Sequence, residues 1–276
     1  MPFHKFIVQI WGAVPSPFRN RYYKFSRYIP AYKLLPDRME IVEIQGGIGK
    51  GIKMMLNLRR ERHYFSGIHE VEVQSLLSDF VRPGMTVYNI GAHIGFFALL
   101  LKNLVRPGGK VIIFEPNPQV RERLMHNLSL NRAGNCIRIE DWALNDFDGN
   151  TDFSLGFSDT QGRFIDLPGA EPRQVIRVGC KRLDTYVDEG AEAPDFILMD
   201  VEHAEGRVFR GMARILKKYK PTIVVEMHGP ASIKEAWNEL KKCNYSLISL
   251  PALKVADSLE TVAYGHYLAM PINNLS

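Results

Sequence analysis

Cysteine is scarce in this chain: only Cys136, Cys180 and Cys243 occur in 276 residues. They are odd in number, scattered, and never spaced as C-x-x-C, which excludes a disulfide framework and a cysteine-based zinc site and points to a reducing, cytoplasmic setting. Long apolar runs are also missing. The nearest, Phe6 to Val14, contains Gln9 and Gly12, is too short to cross a bilayer, and has no clear cleavage site to mark it as a secretion signal. No internal repeat or low-complexity tract is visible. Two nucleotide-binding signatures are absent as well. A dinucleotide fingerprint starting at Gly91 would need glycine at 93 and 96, where His93 and Phe96 stand. The run Gly46-Gly47-Ile48-Gly49-Lys50 continues with Gly51, where a phosphate loop needs a magnesium-holding Ser or Thr, and no helical pattern follows.

What is present fits one large α/β domain. The chain is 46% hydrophobic and 24% charged, enough for a full core. Its net charge of +5 is uneven: residues 1–38 carry seven basic side chains against Asp37 alone, interleaved with Trp11, Phe18, Tyr22, Tyr23, Phe25, Tyr28 and Tyr32. This stretch is expected to be a helical arm with rings packed on the core or on a second subunit. Contact with an anionic membrane surface or a nucleic acid stays open. Residues 39–44 and 51–58 read as a β-hairpin. The expected division is therefore an arm and hairpin over 1–66 and the main domain over 67–276.

The centre of the main domain is a β-prone run ending at Asn89-Ile90, a turn with Gly91 and Gly95 on either side of His93, and an apolar run at helical spacing to Leu101. Glycines at such a turn let the backbone approach a ligand, and the helix that follows offers free N–H groups to it. Twenty residues after Gly95, Glu115 closes a second strand, where an acid accepts hydrogen bonds from a ribose. Further strands are expected at 136–139, 196–200 and 221–226, with helices at 119–130, 205–218 and 231–242. Strand candidates at 245–250 and 262–270 complete the sheet. The strand Phe196 to Asp200 is a continuous apolar run ending in an acid, the pattern of a central parallel strand that delivers a carboxylate to the ligand edge.

Asn89-Ile90-Gly91-Ala92-His93-Ile94-Gly95, Phe114-Glu115-Pro116-Asn117, Asp200-Val201-Glu202-His203-Ala204-Glu205 and the lead-in Gly67-Ile68-His69-Glu70 resemble the class I S-adenosylmethionine-dependent methyltransferases, and within them the FkbM family. The resemblance covers roughly residues 65 to 250. It departs from the family at Asn89, usually Asp, at His93, usually Asn, and at His203, usually Gly. It implies a Rossmann-like, seven-stranded, mostly parallel sheet with helices on both faces and the last strands antiparallel. It also implies S-adenosylmethionine as cofactor, held by Glu70, Asn89, Gly91, His93, Gly95 and Glu115, with Asp141 on the adenine amino group and Trp142 stacked on the base.

The expected reaction is methyl transfer to a hydroxyl of a sugar, glycan or secondary metabolite. Alignment of the acceptor and removal of its proton are then the protein's tasks. Asp200, Glu202 and His203 stand where the base belongs, and histidine's ordinary pKa suits that role. A divalent metal held by Asp200, Glu202, Glu226 and His228 is the rival arrangement, and helix capping by Glu202 and Glu205 is the purely structural one. In the same way, Glu70 and Glu72 fall in the first turn of a helix over 69–80 and suit its dipole. Phe157, Asp159 and Arg163, in the turn-rich segment 146–169, are candidates for the acceptor pocket. Two other functions stay open. A nucleic-acid methyltransferase would use the basic arm, although no Asn-Pro-Pro-Tyr-like motif occurs; a scaffold would keep the fold without turnover.

Overall fold

The computed structural model describes residues 35, 37–132, 134–155, 162–167 and 174–272. The basic aromatic stretch therefore lies outside the described residues apart from Leu35, Asp37 and Arg38, and so do Phe157 and Asp159.

The expected hairpin is present, with β1 (Met39–Glu43) antiparallel to β2 (Lys53–Asn57). Two helices, α1 (Arg62–Ser66) and α2 (Val71–Phe80), lead into β3 (Thr86–Ile90). Alternation then follows through α3 (Phe96–Val105), β4 (Lys110–Phe114), α4 (Pro118–Leu130) and β5 (Ile137–Glu140). The start of α4 is sharply specified. Pro118 occupies its first turn, and the Asn117 side chain accepts hydrogen bonds from the Gln119 and Val120 N–H groups at 3.0 and 3.4 Å. Next come β6 (Ala143–Leu144), β7 (Gly149–Leu155), β8 (Gly162–Phe164) and β9 (Gln174–Lys181), a separate four-stranded sheet in the order β6-β9-β7-β8. The remaining elements are α5 (Leu183–Asp188), β10 (Phe196–Met199), α6 (Glu205–Gly211), α7 (Ala213–Lys218), β11 (Thr222–Met227), α8 (Pro230–Lys242), β12 (Tyr245–Ser249), β13 (Lys254–Val255) and β14 (Gly265–Pro271).

The main sheet runs β13-β12-β14-β11-β10-β3-β4-β5, with β11 to β5 parallel and β14, β12 and β13 antiparallel. It has eight strands rather than seven. The addition is β13, two residues at the edge of β12. The helix expected over 205–218 is broken at Met212 into α6 and α7. Gly211 there lies against the Asn145 backbone, and the buried Asp184 carboxylate accepts the Arg214 and Ile215 N–H groups at 3.1 and 3.0 Å, which starts a new helix.

Alternation along each central strand divides the core in two. Val87, Val111, Ile113, Phe196, Leu198 and Val224 face the layer of α2, α3, α4 and the hairpin, while Tyr88, Ile112, Phe114, Ile197, Met199, Ile223 and Val225 face the layer of α5 to α8. The hairpin shares the first of these cores through Ile44, Met54 and Leu56. It is tied to α4 by Arg123, bonded to the Met55 carbonyl and to Glu61, and by fully buried Asn127. That side chain accepts the Met55 N–H at 2.7 Å and donates to the Ile94 carbonyl at 2.9 Å.

The chain moves outward from β3 to β4 and β5, then returns to lay β10 on the other side of β3 and continues to β11. This reversal leaves a crevice beyond the carboxyl ends of β3 and β10, where ligands bind in open parallel sheets. Its floor is tight. Gly91 has φ +76°, and a Cβ there would stand 1.7 Å from the Asp200 carbonyl oxygen. Gly91→Ala is expected to destabilise the fold by more than about 3 kcal/mol, whereas Gly51→Ala, also left-handed but in open space, should cost about 1–2 kcal/mol. Urea unfolding of the two variants separates the clash from the backbone strain.

Candidate active site

A cleft of about 260 Å³ fills the crevice, lined by the β3 turn, the ends of β4, β10 and β11, the start of α2 and the small sheet. On its first side the turn and the second acid meet. Glu115 accepts the His93 N–H on Oε2 and the Asn117 N–H on Oε1, each at 3.0 Å. Burial pushes its carboxyl up to about 7, against the pull of those two N–H donors. Asn89 is 2% exposed and its Oδ1 has no hydrogen-bond partner, and the same is true of buried Nε2 of His93. The other nitrogen of His93, Nδ1, lies 3.3 Å from the Tyr64 hydroxyl, and burial lowers the ring's pKa to about 4. That imidazole is neutral at physiological pH. Trp142 lines the cleft with its ring against Gly179 and the Lys181 ammonium 4.9 Å from its centre. Gly95 serves packing. The space a Cβ would take there is filled by Leu124 of α4.

On the second side lie the acids. Asp200 and Glu202 line the cleft at the end of β10, and Glu226 at the end of β11. Much of the Asp200 side chain is accessible, but that surface faces the cleft, and the surrounding protein together with neighbouring Glu226 raises its pKa well above the carboxylate range against the opposing pull of His228. Burial disfavours charge on His228, but the hydrogen bond to Glu205 and the nearby Asp200, Glu205 and Glu226 outweigh it and lift the ring to about 9. Arg163 reaches Glu202 at 3.4 Å, and Phe153 and Phe164 from the small sheet stack edge to face at 5.8 Å beside it.

Several expectations change. His203 does not reach the cleft wall; its Nδ1 sits 3.2 Å from the His228 carbonyl, with the ring against Gly229. Asp141 is exposed at the end of β5 and is not among the lining residues, because the strand ends before it and the chain turns toward β6. Glu70 does not cap α2 with its side chain. It takes a left-handed φ of +45°, and its carboxylate lies 3.1 Å from His69 Nε2 and 3.2 Å from His266 Nε2. Glu205 does not simply cap α6 either: it is fully buried and bonded to His228 and Ser232.

His266 on β14 and Tyr64 on α1 also line the cleft, and the Tyr264 hydroxyl donates to Glu226 Oε1 at 2.7 Å, though none of the three stands in a sequence motif. Only the neighbourhood of Gly67-Ile68-His69-Glu70 signalled Tyr64. Nothing local signals His266, which an antiparallel strand brings back from far along the chain. Non-glycine residues with left-handed backbone gather here. Glu70, His93, Glu202 and His203 are four of the eight among the described residues, a concentration of strain that marks functional segments.

Residues 89–247, more than half of the chain, match the family model of the Methyltransferase FkbM domain. The chain belongs to the FkbM methyltransferase family. It is 29% identical over 161 residues to the 2-O-methyltransferase NoeI of Sinorhizobium fredii, a match covering 52% of this chain and 64% of that one, so less than two thirds of NoeI is spanned. The methyltransferase sdnD of Sordaria araneosa is 26% identical over 178 residues, covering 54% and 68% of the two chains. The crystal structure of methyltransferase FkbM from Methylobacillus flagellatus KT is similar at a TM-score of 0.48 and 15% identity, covering 90% of this chain and 60% of that one.

This FkbM-family methyltransferase has a buried acid with unusual pH linkage. Without ligand, Glu115 holds a proton up to about pH 7, whereas its ordinary value is 4.5. The folded state therefore binds more protons across that window, and this contribution to stability falls as pH rises through it, by about 3 kcal/mol in all. Glu115→Gln, which does not titrate, is expected to gain stability relative to the wild type between pH 4.5 and 7. Parallel urea titrations across the range check it, and an unchanged difference would count against the shift.

Proposed function

We propose that this FkbM-family methyltransferase transfers a methyl group from S-adenosylmethionine to a hydroxyl of a sugar, a glycan or a small secondary metabolite. The observation that carries the reading is the pairing, within one cleft, of a nucleoside-type acid at Glu115 with a wall of carboxylates at Asp200, Glu202 and Glu226. Support also comes from NoeI, whose name records 2-O-methylation, and from the membership in the family.

The residues present fit the cofactor. Glu115 keeps free lone pairs beyond its two backbone donors, suited to two ribose hydroxyls. The unpartnered Asn89 Oδ1 and His93 Nε2 are buried polar atoms awaiting a partner, which a purely structural role leaves unexplained. Asn89 offers an acceptor without the charge usual in the family, so cofactor affinity is expected to be reduced rather than lost. Trp142 offers a ring to the base, and Glu70 a carboxylate to the amine. When bound, the cofactor supplies a methyl group on a positively charged sulfur that leaves as a neutral thioether.

The protein's part is positioning and proton removal. Asp200 faces the cleft beside Glu202, and whichever of the two is ionised takes the hydroxyl's proton as the oxygen gains its new bond. With its ring turned to the His228 carbonyl, His203 supports this wall rather than acting as the base. Phe153 and Phe164 give the acceptor an apolar face, and Arg163 and Glu202 give it a polar one. A small hydroxylated ring suits such a mixed surface. An acid-lined wall opposes a phosphate backbone, so a nucleic-acid acceptor is disfavoured. No helix among the described residues is long and apolar enough to cross a membrane. Three free cysteines, two of them buried, accord with action in the reducing cytoplasm.

Asp200→Asn is expected to reduce turnover by roughly 10²- to 10⁴-fold while leaving S-adenosylmethionine binding within a few-fold of wild type. A screen of glycans and hydroxylated metabolites with radiolabelled cofactor identifies the acceptor. Full activity in the variant would remove Asp200 from the mechanism.

A further inference from the structure

His228 is 6% exposed, and only one of its ring nitrogens makes a hydrogen bond. Nδ1 lies 2.8 Å from Oε1 of Glu205, a carboxylate with no exposed surface that also accepts the His203 N–H at 3.1 Å and the Ser232 hydroxyl. A carboxylate held on every side fixes the ring that donates to it, so Nε2 is the atom presented to the cleft. There it faces three acids: Asp200 Oδ1 at 3.8 Å, Glu202 Oε2 at 3.9 Å and Glu226 Oε2 at 3.7 Å. None of these separations is a hydrogen bond. They are close to the spacing of donors around a shared ion, since two atoms each about 2.1 Å from one centre at a tetrahedral angle stand about 3.4 Å apart.

We propose that Asp200, Glu226 and His228, with Glu202 beside them, form a binding site for one divalent first-row metal ion, and that Glu205 is its positioning residue. The mixed imidazole and carboxylate donors suit Mn²⁺, Fe²⁺ or Zn²⁺ better than Mg²⁺ or Ca²⁺, which prefer oxygen alone. A second group, Glu70, Glu226 and His266, also lies close enough to share an ion. It is the weaker site, because His266 Nε2 is already bonded to Glu70 at 3.2 Å and no buried carboxylate holds the far side of its ring; Glu72, 3.7 Å from Nδ1, is half-buried and too far for a hydrogen bond. The ion's presence rests on this geometry alone, and its purpose rests on the acceptor reading above. A hydroxyl coordinated to the ion has a lowered pKa. Its proton passes to Glu202, the oxygen–methyl bond forms, and the methyl–sulfur bond breaks.

The test is titration of the chelator-stripped protein with Mn²⁺, followed by electron paramagnetic resonance, and with Zn²⁺ by calorimetry, without cofactor or acceptor. One ion per chain is expected. Asp200→Asn and His228→Gln should each weaken binding at least tenfold, and Glu205→Gln by about 10- to 100-fold, while His266→Gln should change it less than threefold. Circular dichroism guards against misfolding of the Glu205 variant, and Asp200→Asn, whose side chain faces the cleft, gives the same readout without touching the core. Failure of both ions to bind, or loss in His266→Gln but not in His228→Gln, would overturn the site. Binding as expected with no hydroxyl methylated in any screen would support the site and overturn the acceptor reading instead.

Discussion

The contact on which the rest depends is the close backbone approach between β3 and β10. Gly91 leaves β3 with its Cα against the Asp200 carbonyl, and the Asp200 N–H donates to the Ile90 carbonyl at 3.0 Å. With no side chain between them, the two strand ends stay in register one residue beyond the last paired positions, Ile90 and Met199. The glycine turn can then sweep over to Glu115 on one side while the acids after β10 open toward β11 on the other. A side chain at this point would separate the two halves of the cleft.

From that fork, two electrostatic environments arise within one cavity. The Glu115 side is poor in charge: a single buried acid, a neutral imidazole and an uncharged Asn89, all leaving polar atoms for a ligand. The Asp200 side is dense in charge, with carboxylates just after β10, at the end of β11 and just before α2 balanced by His228 and His266. Such separation suits a reaction that holds a nucleoside in one place and removes a proton in another. The small sheet borders the second side, where the paired strands β7 and β8 bring Phe153 and Phe164 to the cleft and Arg163 to Glu202.

Much of this was legible in the chain. Continuous apolar runs ending in Glu115 and Asp200 mark central parallel strands because both faces are buried, and the glycine turn at 91–95 marks the ligand edge. What stayed hidden is long-range. Period and turn residues do not say that β9 pairs with β7 across a distant segment, nor that β14 carries His266 to Glu70 and Glu226. Side-chain direction is equally invisible. His203 and His228 both follow strand ends, but Glu205 draws only His228 toward the acids, while a left-handed φ of +78° turns His203 to a backbone carbonyl. Asp141 fails for a local reason: one residue beyond the strand is enough to face solvent.

The most direct measurement is calorimetric titration of the wild type and Glu115→Ala with S-adenosylmethionine. One cofactor per chain is expected for the wild type and at least tenfold weaker binding for the variant, which lacks the carboxylate proposed to hold the ribose. Equal affinity in the two proteins, or no binding by the folded wild type, would contradict the placement of the cofactor between β3 and β4.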